Sequence, residues 1–326
     1  MKLASLKIGS RDGTLVVVDR KLQNAVKVPE IAHTLQQALE NWAMAEPKLR
    51  SVSESLNAGK AKDAFKLEPK DLAAAMPRAP QFVDGSAYLP HVERVRRARG
   101  ADMPPSFLHD PLMYQGVSDS FIPPLDPIRM IDEAWGIDFE SEVGVVVDDV
   151  PMGVTPADAM KHIKLVLLIN DVSLRNLIPE ELAKNFGFLQ SKPRSALSPA
   201  ALTPDELGAA WKDGKLHLPL ITHLNGTRFG EPDAGVDMQF SFPQLIAHAA
   251  KTRPLAAGSI VGSGTIANQD ESKGSSCLAE KRVLEIIKGG KPVTPFMKFG
   301  DRVRIEMLDA AGASLFGAIE QKVEKL

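Results

Sequence analysis

The chain has 326 residues, 44% of them hydrophobic, and a formal net charge of -2, a size that suits one large domain or one large and one small. The near-neutral balance removes any general electrostatic reason to expect nucleic acid or an anionic membrane as partner. A single cysteine, Cys277, rules out a disulfide within the chain. No run approaches the roughly 18 apolar residues of a membrane span, and the opening lacks the apolar core and cleavage pattern of a secretion signal. The expectation is a soluble, cytoplasmic protein whose substrate is small.

In chain order, "MKLASLKIGSRDGTLVVVD" predicts two short strands around a turn between Gly9 and Gly13. Pro29 opens a stretch in which Ile31, Leu35 and Leu39 recur every four positions and lead to Trp42, predicting an amphipathic helix. A second helix is predicted from about Pro47 to Leu56, ending at Gly59. Together these form a small amino-terminal α/β unit, residues 1–80, closing at the Pro-containing "MPRAPQF". From Phe82 onward, short Val-, Leu- and Ile-rich runs ("VGVVVDDV", "IKLVLLIND", "LHLPLITHLNG", "IVGSGTI", "DRVRIEML") are bounded by turn residues and predict strands, several buried on both faces. Few helices intervene; one is "SFPQLIAHAAKT", with Ser241 as its N-cap. The body is α+β and mainly β, with peripheral helices and no regular βαβ alternation.

Three acidic segments stand out. In "DFESEVGVVV", a strand would set Asp138, Glu140 and Glu142 on one face, where like charges repel unless solvent or a cation separates them. For an isolated Glu-x-Glu the ordinary reading is a solvated edge strand. In "LVLLIND" an apolar strand ends at Asn170 and Asp171, so a carboxylate sits at the mouth of a buried element; a turn-capping Asp is the equally plain alternative. In "FVDGSAYLPHVERV" Asp84 precedes His91 by seven residues in a loop-like segment. Alone, His91 is an ordinary surface histidine; beside a metal it becomes a candidate general base. Oxygen-only ligands suit a hard cation, Mg²⁺, Mn²⁺ or Ca²⁺, and not zinc.

These segments, in this order, resemble the fumarylacetoacetate hydrolase family, in particular its fumarylacetoacetate-cleaving branch, from about Phe82 to the carboxyl terminus. The resemblance implies a mixed β-sandwich or β-roll catalytic domain over residues 81–326. "DFESE" is similar to the family's Glu-x-Glu metal strand and implies Glu140 and Glu142 as ligands, with Asp138 a neighbour. "LINDVSLRN", an Asn-Asp followed by Ser-x-Arg, implies Asp171 as a third ligand, and "DGSAYLPH" implies Asp84 as the fourth and His91 as the catalytic histidine. "SSCLAEK" implies Glu280 as the group that orients the histidine. "GSGTIANQ" and "DPLMYQGVSDS" imply Thr265 and Tyr114 as substrate contacts. Lys192 in "FLQSKPRSALSP" matches the family lysine with a one-residue shift. The run "ERVRRARG" offers Arg94, Arg96, Arg97 and Arg99 for a substrate carboxylate, and Arg99 is the expected one.

What the resemblance implies is metal-dependent hydrolysis of a carbon–carbon bond in a dicarboxylate β-diketo acid, 4-fumarylacetoacetate to fumarate and acetoacetate, in tyrosine catabolism, by a homodimer. The rivals are acylpyruvate hydrolysis, oxaloacetate decarboxylation, a keto-sugar-acid hydrolase or dehydratase, and a non-catalytic metal-binding scaffold. Smaller family members carry His and Glu close together, so Glu93, two residues past His91, competes with Glu280 as the histidine's partner.

Overall fold

The computed structural model describes residues 1–98 and 103–326. Its main element is an eleven-stranded sheet. Across it the strands run Phe65–Lys66, Asn24–Lys27, Gly13–Val18, Lys2–Ser10, Ala200–Leu202, Ile163–Asn170, Ser141–Val147, Ile260–Gly262, Phe82–Gly85 and Met113–Gly116, with Ala196–Leu197 paired beside Ile163–Asn170. All neighbours are antiparallel except Ile260–Gly262 with Phe82–Gly85, where Gly262 lies opposite Asp84. The amino-terminal strands join the rest through Lys2 opposite Leu202 and Ala4 opposite Ala200. A second sheet of five strands holds Thr227–Gly230, Leu220–Leu224, Arg302–Met307, Ile319–Lys325 and Ile128–Met130.

Strand parity explains the continuous apolar runs. Val143, Val145 and Val147 pack in one core with Val166 and Leu168. Val146 packs in another with Leu165, Leu167 and Ile169, and there the helical residues Leu35, Leu39, Trp42 and Leu49 cover the sheet. With both faces covered there is no solvated side for polar residues to alternate onto. Each such side chain contributes roughly 1.5–3 kcal/mol on burial. In this doubly covered part of the sheet the carboxylates Glu142, Asp171 and Asp84 lie at or beside strand ends.

Four local expectations change. The first helix starts at Leu35, after the Thr34 N-cap, and not at Pro29. The second runs Trp42–Asn57 with Pro47 inside it, so the break between them falls at Asn41. The proline, sixth in the helix, removes one intrahelical amide donor, but it sits on an element that buries Trp42, Leu49 and Leu56. "DFESE" is not one strand: Ile137–Asp138 pairs with Ser173–Leu174, Glu140 makes an isolated bridge to Cys277, and the long strand begins at Ser141. The loop expected around His91 is the helix Leu89–Ala98, whose Pro90 lies in its first turn, where a missing amide costs nothing. By contrast, Ser241 does begin Phe242–Ala249, its amide donating to Gln244 Oε1 at 2.8 Å.

Candidate active site

Sheet register brings the acids together. Glu142 lies opposite Ile169, two residues before Asp171, and the Asp171 amide donates to the Glu140 carbonyl at 3.0 Å. Asp84 arrives on the neighbouring pair, opposite Gly262. A Cβ on Gly262 would lie 2.2 Å from Asp84 Oδ1, and Gly264, at φ +77, donates its amide to that oxygen at 2.9 Å. These glycines are required for the backbone to pass that close to the carboxylate. Ligand oxygens of Asp84, Glu142 and Asp171 all lie within 4.8 Å of one another, and all three residues are buried.

The acids differ in what satisfies them. The Lys192 ammonium donates to Glu140 Oε2 at 2.5 Å and to Asp171 Oδ2 at 2.6 Å. Asp171 also accepts from Tyr114 Oη at 2.6 Å and Ser195 Oγ at 2.5 Å. Arg175 bridges two acids, Nε to Asp138 Oδ2 at 2.8 Å and Nη2 to Glu140 Oε1 at 2.7 Å. Neither buried oxygen of Glu142 has a hydrogen-bond partner among the described residues.

The proton affinities follow. Burial, with Asp84, Asp171 and Glu140 close by, pushes the Glu142 carboxyl well above its ordinary range. Burial and Asp171 do the same to Asp84. Burial acts on Glu140 too, but Arg175 and Lys192 outweigh it and hold it well below the usual range. Asp171 shares Lys192 yet has no arginine, and burial leaves it raised. Burial alone would lower the Lys192 ammonium; Asp171 and Glu140 reverse that and raise it.

A histidine dyad faces the same place. His91 Nδ1 lies 2.8 Å from Glu280 Oε2, and Glu280 is fully buried at the start of the helix Leu278–Gly289. Arg94 holds the other Glu280 oxygen at 3.1 Å and anchors on the Asn268 carbonyl at 2.7 Å. Glu93 is exposed and contacts Gln269, so the local His–Glu pair does not form. Asp138, the first acid of "DFESE", accepts from the amides of Leu278 and Ala279 at 2.8 and 2.9 Å. It therefore caps the helix that carries Glu280 and does not belong to the triad of Asp84, Glu142 and Asp171.

A cleft of about 150 Å³ joins these parts, lined by Asp84, His91, Tyr114, Glu140, Arg175, Lys192 and Thr265, with Ile178 and Phe188 as apolar wall. Of the expected substrate contacts, Thr265 lines this cleft; Tyr114 lines it too, but commits its hydroxyl to Asp171. Arg99 lies outside the described residues, and Arg94 is occupied by Glu280. The acids fit a hard divalent cation by chemistry and by need. Their donors are all oxygen, and Glu142, a buried carboxylate with no donor among the described residues, is a group that a cation would satisfy.

A family model described as fumarylacetoacetate (FAA) hydrolase C-terminal matches residues 81–324, and one described as fumarylacetoacetase N-terminal domain 2 matches residues 1–78. The chain belongs to the fumarylacetoacetate hydrolase family. Family members are enzymes, and the relatives carry different activities in their names. The mitochondrial oxaloacetate tautomerase fahd2 of Xenopus laevis is 26% identical over 159 residues, covering 48% of this chain and 47% of that one. The 2,4-didehydro-3-deoxy-L-rhamnonate hydrolase of Sphingomonas sp. is 26% identical over 167 residues, 50% of this chain and 55% of that one. The chain thus spans about half the length of these curated relatives. The maleylpyruvate hydrolase structure from Sphingobium sp. SYK-6 has the same fold, with a TM-score of 0.66 at 14% identity over all of both chains. Among the described residues no helix is long and apolar enough to cross a membrane.

Within this family site, the sequence points to no role for Arg175 or Ser195, and offers Arg94 only as one of four arginines for a substrate carboxylate, not as the partner of Glu280. Arg175 was visible as the arginine of Ser-x-Arg, directly after Asn170-Asp171. Ser195 and Arg94 carry no local signal, since each is defined by a partner more than twenty residues away.

Proposed function

We propose that this protein hydrolyses a carbon–carbon bond in a dicarboxylate β-diketo acid, with 4-fumarylacetoacetate as the substrate to test first. In this reading Asp84, Glu142, Asp171 and Glu140 hold a divalent cation, Mg²⁺ by preference, as the resemblance implies. When bound, such a cation supplies Lewis-acid polarisation of the two carbonyl oxygens. The observation that carries the reading is that His91, paired with Glu280, lines one cleft with Asp84, Glu140 and Lys192.

The chemistry assigned to the chain's own residues is short. Glu280 accepts from His91 Nδ1–H, which leaves Nε2 as the basic nitrogen that takes a proton from water. The water oxygen attacks the fumaryl-side carbonyl, the bond to the adjacent CH₂ breaks, and the electron pair leaves as an enolate that gains a proton to give acetoacetate. Lys192 has three N–H donors, of which Glu140 and Asp171 take two; the third serves the developing oxyanion, a role worth roughly 3–4 kcal/mol. Thr265 and the Tyr114 ring bound the substrate, and Arg99 remains the expected partner of a substrate carboxylate.

A second reading, keto–enol isomerisation, is favoured by the likeness to a tautomerase. The same His91 nitrogen would then move a proton between carbon and oxygen with no water consumed. The test is to incubate the protein with Mg²⁺ and fumarylacetoacetate and follow the diketone absorbance. Loss of that absorbance supports the first reading. No loss, with turnover of acylpyruvates or of enol-oxaloacetate, overturns it.

A further inference from the structure

Lys192 is delivered by an irregular segment, and a carboxylate outside the acid cluster holds that segment. Glu181 lies in the helix Ile178–Ala183. Beyond it the chain turns through Asn185 and Gly187, at φ of 59 and 101, and returns with three successive amides aimed at the Glu181 carboxylate. The Leu189 amide lies 3.2 Å from both oxygens, the Gln190 amide 2.6 Å from Oε1 and the Ser191 amide 3.0 Å from Oε2. The Ser191 hydroxyl donates to Oε2 as well. Burial alone would raise this carboxyl, but the Ser191 hydroxyl and the three amides outweigh it and hold it at about 2. From the other side, the Ser191 carbonyl accepts from the Leu174 amide at 2.8 Å. Ser191 is thus fixed twice, and the next residue is Lys192.

The plain alternative is a carboxylate that merely tidies a surface loop. Two observations weigh against it. The loop's tip is left in solvent, Phe186 being fully exposed, while the clamp grips the residues just before Lys192. The same segment also supplies Ile178 and Phe188 to the cleft wall. A lysine side chain has several free torsions, so an ammonium held on two acids needs its backbone set precisely.

We propose that Glu181 is a positioning residue, acting through Lys192: its carboxylate clamps the 189–191 backbone and thereby sets the ammonium between Glu140 and Asp171. This rests on the part given to Lys192 above. The experiment is a double-variant cycle, with E181Q, K192M and both together assayed for kcat and KM with Mg²⁺ on fumarylacetoacetate, or on an acylpyruvate if that is the substrate turned over. Amide hydrogen exchange at residues 189–191 is read alongside. Expected are faster exchange in E181Q, a fall in kcat of about tenfold with KM changed far less, and no further fall when E181Q is added to K192M. If E181Q does not fold, S191A, which removes only the hydroxyl's contact, runs the same cycle with a smaller effect. Unchanged kcat in K192M alone removes the lysine from the reaction, and this inference with it. A fall in K192M, combined with an E181Q effect that is absent or that multiplies with it, overturns the inference and leaves the proposed function standing.

Discussion

Replacing Glu142 by Gln should act in opposite directions on the metal-free and the metal-loaded protein. The side chain keeps its shape and loses a charge that has no donor among the described residues. With ligand oxygens within 4.8 Å, each like-charged pair in the cluster repels by at least about 3.5 kcal/mol at an effective dielectric of about 20. The protein relieves part of this by holding protons, since burial and the neighbouring acids raise both Glu142 and Asp84. A raised carboxyl contributes stability below its unfolded value, about 4.3, and loses it as pH rises toward its folded value. In EDTA above neutral pH, E142Q should therefore be more stable than wild type by about 1–2 kcal/mol, a rise of roughly 2–4 °C in Tm, with a flatter pH dependence. The neutral side chain should also weaken Mg²⁺ by at least about 100-fold, the upper end of what outer-shell losses alone cost. Calorimetry in EDTA and a Mg²⁺ titration read both. A lower Tm in EDTA together with an unchanged Mg²⁺ Kd would refute the reasoning and make Glu142 a structural residue.

Three further outcomes follow. His91→Ala should abolish turnover while leaving Mg²⁺ affinity nearly intact by calorimetric titration; collapse of that affinity would make the histidine a ligand or a structural group. Asp138→Asn should destabilise the protein by about 1–3 kcal/mol in denaturant unfolding, because it weakens the partner of half-buried Arg175 and the cap on the Glu280 helix. Glu181, held at about 2, contributes stability that is present above about 4.5 and fades as pH falls toward 2. An E181Q variant should accordingly show a shallower loss of stability across that acid range, and identical acid arms would contradict the four-donor clamp.

The acids were legible because the chemistry is local. Asp171 ends a run of buried aliphatics, and Glu142 begins another, positions where a carboxylate is costly without a partner. What period two misjudged was Asp138. The expectation assumed one strand through "DFESE", but the chain leaves the sheet at Phe139 and Glu140, so parity does not carry across the break. The histidine's partner was legible only by resemblance, since 189 residues separate His91 from Glu280 and Glu93 is the nearer carboxylate. Nothing in the sequence pattern reveals that Arg94 is spent on Glu280, for that depends on two helices packing together. A proline is an ambiguous helix-opening signal in this chain: Pro29 lies in a turn, whereas Pro47 is tolerated inside a helix.

In the proposed reaction, water activated at His91 ends up in a new carboxylate. The direct measurement is a single turnover of fumarylacetoacetate in ¹⁸O-labelled water with Mg²⁺, with mass analysis of the fumarate. Expected are ¹⁸O in the newly formed carboxylate with wild type and no cleavage with His91→Ala. Isomerised substrate with no labelled fumarate, or equal cleavage by the His91 variant, would contradict it.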